Sequence, residues 1–314
     1  MTLPFALDHI NLWLIEDGEG WTIVDTGVDN AATRASWEAI FGAALGGKPV
    51  TRVIVTHFHP DHMGLAGWLC RRWSAPLWVS ETEWLWARMM SSDRDPEGFT
   101  AEQIPFYVRA GIDRETAAVL AAHGNNYAAR VSPVPRGFQR IADGMRLHIG
   151  GREWRVIIGR GHAPEHACLH CPELDLFIAG DQVLPKISPN VSVWPTEPDG
   201  NPLARYLASI AMLRETVPDS VLVLPSHNLP FRGLHARIDQ LAKHHRERLD
   251  IVLAACAAPQ RTIEIVPLLF RRKLDNQQLV FALGEALAHL HPLVAEGRLR
   301  REMGEDGAYW FVRE

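Results

Sequence analysis

A β-branched run that ends in a cluster of imidazoles constrains this chain more than any other stretch. Val53-Ile54-Val55 leads into Thr56-His57-Phe58-His59-Pro60-Asp61-His62-Met63-Gly64, which places three histidines and an aspartate within six residues. In an extended segment, alternation points His57 and His59 to the same side, and a turn at Pro60 brings Asp61 and His62 from another direction. Two ligand sets are therefore available. Imidazole and carboxylate at this density suit zinc or another borderline divalent ion, and the lack of nearby thiols favours an open catalytic site over a closed structural one. The bland alternative is a surface loop rich in histidine.

The other elements follow a strand-then-loop rhythm. Residues 8 to 26 read as a hairpin that turns near Asp17-Gly18 and ends in Asp25-Thr26-Gly27. Asp25 has two readings: it orients a metal-bound histidine through the imidazole N–H, or it caps the helix beginning near Ala31. That helix runs to about Leu45, the strand Thr51 to Val55 follows, and Gly64 to Leu69 opens another helix. Ligands thus lie at the C-terminal end of a strand, where open sheets commonly build their sites.

From Glu81 to about Arg136 strand signals vanish, which predicts a helical insertion with helices at Glu81–Met90 and Asp113–His123 joined through the loop Ser91–Gly98. Its Trp84, Trp86, Met89, Met90, Phe106 and Tyr107 suit either an apolar lid or plain core. Strands return at Met145–Ile149 and Trp154–Ile158, before Gly159-Arg160-Gly161-His162-Ala163-Pro164-Glu165-His166. The glycine ahead of His162 permits a tight turn. A further hairpin ends in Gly180-Asp181, and an unpaired carboxylate there is costly to bury, so a cation is the expected partner. The strand Val221–Pro225 then delivers Ser226-His227. Trp194, after Asp181, is a candidate to reach the site.

Length and composition agree with a soluble globular protein. The chain has 314 residues, enough for two domains, and a net charge of -5 with pI near 6.3 gives no general attraction to nucleic acid or anionic membrane. Asp8 and His9 interrupt an N-terminus that lacks a basic region, so it reads as a strand and not a signal peptide. No uninterrupted apolar run spans a bilayer. Four cysteines in so long a chain predict a reducing, cytoplasmic setting, with Cys168 and Cys171 as packing residues.

After a long polar helix from Gly233 to about Ala257, residues 261 to 314 change texture. A helix over Thr262–Phe270, a leucine-striped second helix and a hairpin over Arg298–Val312 suggest a winged-helix-like module. Its charges nearly cancel, which favours packing or homodimerisation over phosphate contacts. The expected division is a catalytic domain over 1–240, with the insertion at about 81–136, and a linker helix plus C-terminal domain over 241–314.

The ordered set His57-x-His59-x-Asp61-His62, Gly161-His162, Gly180-Asp181 and Ser226-His227 resembles the metallo-β-lactamase fold superfamily across roughly residues 8 to 232, with a C-terminal segment similar to that of its lactamase-β-2-like branch. The resemblance implies an α/β fold, an αββα sandwich, with a dinuclear site at one edge. It implies that His57, His59 and His162 hold one metal, that Asp61, His62 and His227 hold a second, and that Asp181 bridges them. Two divalent ions about 3.5–4 Å apart can share a hydroxide and polarise the bond under attack. Asp61 and Asp181 are the candidate catalytic carboxylates. Asp25, Glu165, His166 and Trp194 are candidates for supporting or substrate contacts.

Departures from the family pattern narrow the reading. Ala163 and Glu165 replace the usual threonine and glycine, and Glu165 either supports the site or substrate or merely faces solvent. An aspartate at 181 is similar to hydrolases of thioesters, esters or phosphodiesters and unlike the β-lactamases. Leu184 stands where quorum-signal lactonases carry tyrosine, and His59 argues against the flavodiiron pattern. The leading expectation is a zinc hydrolase of a small acyl thioester or ester, similar in chemistry to glyoxalase II, with manganese or iron as other possible metals. A metal-dependent endoribonuclease or phosphodiesterase is the main rival, then a lactonase. A nucleic-acid-binding regulator is disfavoured, as is any membrane partner.

Overall fold

The computed structural model describes residues 1–3, 7–93, 95–122 and 124–314, so the expected helix end at His123 lies outside the described residues. The chain forms two compact units. Met1–Asp93, Asn126–Pro189 and Met212–Arg237 make the first, and Arg94–Asn125, Asn190–Ala211 and Ile238–Glu314 make the second.

In the first unit, β1 (Trp13–Asp17) and β2 (Gly20–Val24) form the expected hairpin, followed by α1 (Ala31–Ala43) and β3 (Val50–Ile54). Two short helices, α2 (Pro60–Met63) and α3 (Ala66–Trp73), precede β4 (Leu77–Val79) and α4 (Glu81–Ser92). After two helices that belong to the second unit, α5 (Pro96–Arg109) and α6 (Arg114–Ala121), the chain returns as β5 (Gln139–Arg140), β6 (Arg146–Ile149), β7 (Arg152–Gly159), β8 (His166–Cys171) and β9 (Leu176–Gly180). Helix α7 (Pro202–Thr216), most of which belongs to the second unit, leads to β10 (Leu222–Pro225), and α8 (Leu234–Ala255) takes the chain back into the second unit.

The strands make two five-stranded sheets, ordered β1-β2-β3-β4-β5 and β10-β9-β8-β7-β6. In the first sheet β2 through β5 run parallel, and the second is an antiparallel meander closed by the parallel pair β9 and β10. The end of β3, Val53-Ile54 with the following Val55, is apolar on both faces because both are covered there, as central parallel strands require. Ile54 joins Val24, Trp154, Val156 and Leu169 between the sheets, whereas Val53 and Val55 pack with Trp37, Met63 and Leu69 on the outer side. This two-layer core fixes the ends of β3, β7, β9 and β10, from which the polar loops emerge.

The second unit ends in β11 (Gln260–Arg261), α9 (Thr262–Leu269), α10 (Asn276–Ala295), β12 (Leu299–Met303) and β13 (Tyr309–Arg313). The terminal hairpin is present, and β11 adds a third strand beside β13. Among the described residues, α10 is the one helix long and apolar enough to cross a membrane, and most of that stretch is buried.

A single division at residue 240 follows the texture of the sequence, but the chain alternates between units in space. Residues of α5 and α6 join the second unit because the Ile263 amide donates to the Ala110 carbonyl (2.9 Å) and the Arg109 guanidinium lies over the Tyr309 ring (5.9 Å). Phe106 and Tyr107 are buried there. Trp84 stays in the first unit, stacked on Phe138 at 4.6 Å, and the loop expected over Ser91–Gly98 is shorter because α5 starts at Pro96.

Candidate metal centre

All seven residues expected to hold metal lie in the first unit, and its loops bring them together. Three groups have ligand atoms within 4.8 Å of one another: His57, His59 and His162; His57, His62 and Asp181; and Asp61, His62 and His227. His57 and His59 leave the end of β3, α2 presents Asp61 and His62, the loop after β7 presents His162, and Asp181 and His227 follow β9 and β10. Gly161 adopts φ of 105°, the left-handed conformation that a turn into His162 requires.

The first group is tight. His57 Nε2 lies 2.8 Å from His59 Nδ1 and 3.2 Å from His162 Nε2. Asp181 reaches toward every part of the cluster, with Oδ2 3.4 Å from His162 Nε2 and Oδ1 3.6 Å from His62 Nε2 and 3.4 Å from His227 Nε2. Asp61 Oδ2 stands 3.7 Å from His62 Nε2 and 3.5 Å from His227 Nε2.

Outer partners orient these rings. Asp25 sits at φ of 61°, unusual for a non-glycine residue, and its Oδ2 accepts from His62 Nδ1 at 2.8 Å while Oδ1 accepts the Thr56 amide at 2.8 Å. Helix α1 is capped instead by Asn30, whose side chain accepts from the Thr33 amide. His227 Nδ1 donates to the His9 carbonyl at 2.8 Å, which turns Nε2 inward. His166 Nε2 accepts the Asp181 amide at 3.0 Å, so this imidazole holds the bridging candidate's backbone. Gly180, at φ of 54°, has no room for a Cβ beside that ring.

Glu165 acts on the site through its loop. Its carboxylate accepts the Thr82 amide at 3.1 Å and faces Arg160 at 3.7 Å, so it ties the His162 loop to the start of α4. Trp194 belongs to the second unit, where its ring meets Phe281 edge-on at 5.5 Å.

Sequence reasoning passed over Glu83 and Tyr127. Glu83 is fully buried, and burial lifts its carboxyl to about 7 although the Glu165 and Phe58 amides both donate to it. Tyr127 donates its hydroxyl to the Phe58 carbonyl at 2.5 Å. A glutamate in the first turn of a predicted helix carries no mark of such a role, because acids are common there.

The electrostatics divide the cluster. Burial, then His62 and His59, hold His57 well below the ordinary histidine range, and burial with His162 takes His59 down to about 3. Burial also opposes charge on His62, but Asp25, Asp61 and Asp181 raise it well above its ordinary value. Burial opposes charge on Asp181 too, yet His62 and His227 keep its carboxyl well below the usual range. His227 rises to about 10 against burial, chiefly through Asp181.

The residues fit divalent metal. His62 Nε2, His227 Nε2 and Asp181 Oδ1 are buried without a hydrogen-bond partner, which is costly for polar atoms unless a cation takes them. The other ring nitrogens of the two histidines are already committed, as is usual for ligating histidines. Imidazole and carboxylate donors, with all four cysteines buried and outside the three groups, suit borderline divalent ions.

Comparisons with known proteins agree with this fold. Residues 6–253 match the Metallo-beta-lactamase superfamily, and residues 249–314 match the Metallo-beta-lactamase-like, C-terminal domain. The chain belongs to the metallo-β-lactamase superfamily. It is 46% identical to a β-lactamase domain protein from Burkholderia ambifaria of known structure, with a TM-score of 0.91 over 100% of this chain and 91% of that one. A metallo-β-lactamase family protein from Thermus thermophilus, TTHA1429, is 30% identical, with a TM-score of 0.82 over 100% of this chain and 97% of that one. The probable metallo-hydrolase YqjP of Bacillus subtilis is 24% identical over 298 residues, covering 93% of this chain and 90% of that protein.

Proposed function

We propose that this metal-dependent hydrolase binds two divalent ions, zinc by the chemistry of its donors, and cleaves a thioester or ester of a small metabolite. The observation that carries the reading is Asp181, whose two oxygens face His162 on one side and His62 and His227 on the other. His57, His59 and His162 would hold one ion, Asp61, His62 and His227 the second, with Asp181 shared. When bound, such ions acidify water and polarise the carbonyl under attack.

The chain's own groups supply orientation and proton handling. Asp61 keeps its side chain 16% exposed, the most open carboxylate of the set, and takes the role of orienting the attacking water and holding its proton. Asp25 and the His9 carbonyl fix His62 and His227. His166 keeps Asp181 in place through its amide.

Charge placement supports a small substrate over a polymer. Arg160, near the site, is engaged by Glu165 and the Pro164 carbonyl. In the C-terminal helices and hairpin, which we read as a winged-helix-like packing module, Arg261 pairs with Glu264, Arg298 with Glu296, Arg300 with Glu302 and Arg301 with Asp199. These pairs leave less uncommitted charge for phosphates.

The test is a comparison of initial rates on an acyl-thioester panel and a short RNA, using zinc-loaded protein with His59→Ala as the blank. Thioester turnover that disappears in the variant is expected. RNA cleavage without thioester turnover would overturn the substrate assignment in favour of phosphodiester hydrolysis.

A further inference from the structure

We infer that Glu83 is a positioning residue that, with Tyr127, sets the spacing of the two loops carrying His57, His59 and His162, and so governs their grip on metal. This rests on the metal-hydrolase reading above. Phe58 lies between His57 and His59, and its peptide groups are held from outside the loop at both ends. Its amide donates to Glu83 Oε2 at 2.8 Å, and its carbonyl accepts from the Tyr127 hydroxyl at 2.5 Å.

The second oxygen of the same carboxylate holds the other loop. Glu83 Oε1 accepts the Glu165 amide, three residues after His162, at 2.6 Å. The tie is reciprocated, because Glu165 accepts the Thr82 amide at 3.1 Å and the Ser80 hydroxyl donates to the Glu165 carbonyl at 2.8 Å. The start of α4 is therefore the common mount of both loops. One carboxylate spans them with two bonds, which are charge-assisted and so stronger than neutral ones when the group is ionised.

Glu83 is fully buried, and among the described residues no lysine or arginine forms an ion pair with it. A buried carboxyl bonded to backbone amides is a poor device for stability alone, because apolar packing does that work at lower cost. Its geometry serves the three imidazoles, whose ring nitrogens stand 2.8 and 3.2 Å apart along the His59–His57–His162 series.

Glu83→Gln keeps the shape but offers one acceptor oxygen to two amides, so one of the loops loses its tie. Zinc affinity would be measured on metal-free full-length protein by competition with a chromophoric chelator, alongside urea unfolding of the same metal-free samples. Wild type, Glu83→Gln, Tyr127→Phe and His59→Ala would be compared. A general loss of stability weakens both binding steps alike. Positioning predicts that Glu83→Gln weakens, by about 10-fold or more, the step that His59→Ala abolishes, and leaves the other step within about 2-fold. Tyr127→Phe should move the same step in the same direction.

Unchanged zinc affinity in Glu83→Gln would overturn the inference, whatever its unfolding midpoint, and so would equal weakening of both steps. Should Glu83→Gln fail to fold, Tyr127→Phe decides by the same criteria. Wild-type protein that binds no zinc would instead bring down the metal reading itself. Wild-type zinc binding and hydrolysis with Glu83→Gln and Tyr127→Phe unaltered would bring down only the role given to Glu83.

Discussion

Asp25→Asn removes one charge from beneath the candidate metal centre without changing the shape of the side chain or the backbone it needs. Asparagine tolerates the left-handed conformation at residue 25, where φ is 61°. The carboxylate serves three buried donors: the Thr56 amide and His62 Nδ1, each at 2.8 Å, and the Thr56 hydroxyl, 2.9 Å from Oδ2. The hydroxyl can rotate to another acceptor, but an amide side chain has one oxygen, so it accepts from the Thr56 amide or from His62 Nδ1 and must turn its NH2 toward the other. A buried donor left without an acceptor costs about 1–3 kcal/mol, so urea unfolding of the metal-free protein should show a loss in that range.

The same change frees the orientation and tautomer of His62. Outer partners of this kind contribute about 10–100-fold to metal affinity, or about 1.4–2.7 kcal/mol. Chelator-competition titration with zinc should therefore show weakening of the step that involves His62, while the step that His59→Ala removes changes less. Wild-type affinity at both steps, together with the expected loss of folding stability, would refute the reasoning that Asp25 acts through His62.

In the second unit, burial holds His245 down to about 2 and His289 to about 4, so both are neutral when folded and bind protons near 6.5 when unfolded. Depressed values place their full stabilisation above pH 6.5, with loss as pH falls toward about 4 for His289 and about 2 for His245, at about 1.4 kcal/mol per unit each. Thermal melts from about pH 7 to pH 5 should show this decline, and the His245→Leu, His289→Leu double variant should flatten it; an unchanged slope contradicts the assignment. His166→Leu strips the Asp181 amide of its acceptor and should cost about 1–3 kcal/mol in metal-free unfolding. Unaltered stability and zinc affinity in that variant would show that His166 does not hold Asp181.

The ligands were legible because they are concentrated at strand ends, where β-branched runs stop and histidines, aspartates and glycines begin. His57, His59, Asp61 and His62 announce themselves within one stretch, and Gly161 marks the turn to His162. Of the partners that hold them, Asp25 and His166 stand out at the ends of strand and ligand motifs, whereas Glu83 and the His9 carbonyl do not, because their bonds run between groups far apart in sequence. The Glu83 carboxylate meets an amide 25 residues back and another 82 residues on, and the His227 ring meets a carbonyl 218 residues away. No local pattern records such pairings.

Helix α5 was missed for a local reason. Gly98 and Pro105 weaken its periodicity, yet Asp95 caps it by accepting the Gly98 amide at 2.9 Å, with Pro96 in the first turn. The Asp-Pro pair was a start signal outweighed by the apparent loop. The alternation of the two units was hidden for a different reason. Contacts such as Ile263 to Ala110 join segments about one hundred and fifty residues apart, a distance over which loop closure costs little more than over shorter spans.

The central claim is that the histidine and aspartate cluster is a two-ion site, and zinc titration of metal-free protein followed by metal analysis tests it directly. The account predicts two zinc ions per wild-type chain and one in His59→Ala, each in folded protein. A wild-type chain that takes up one ion or none under the same conditions would contradict it.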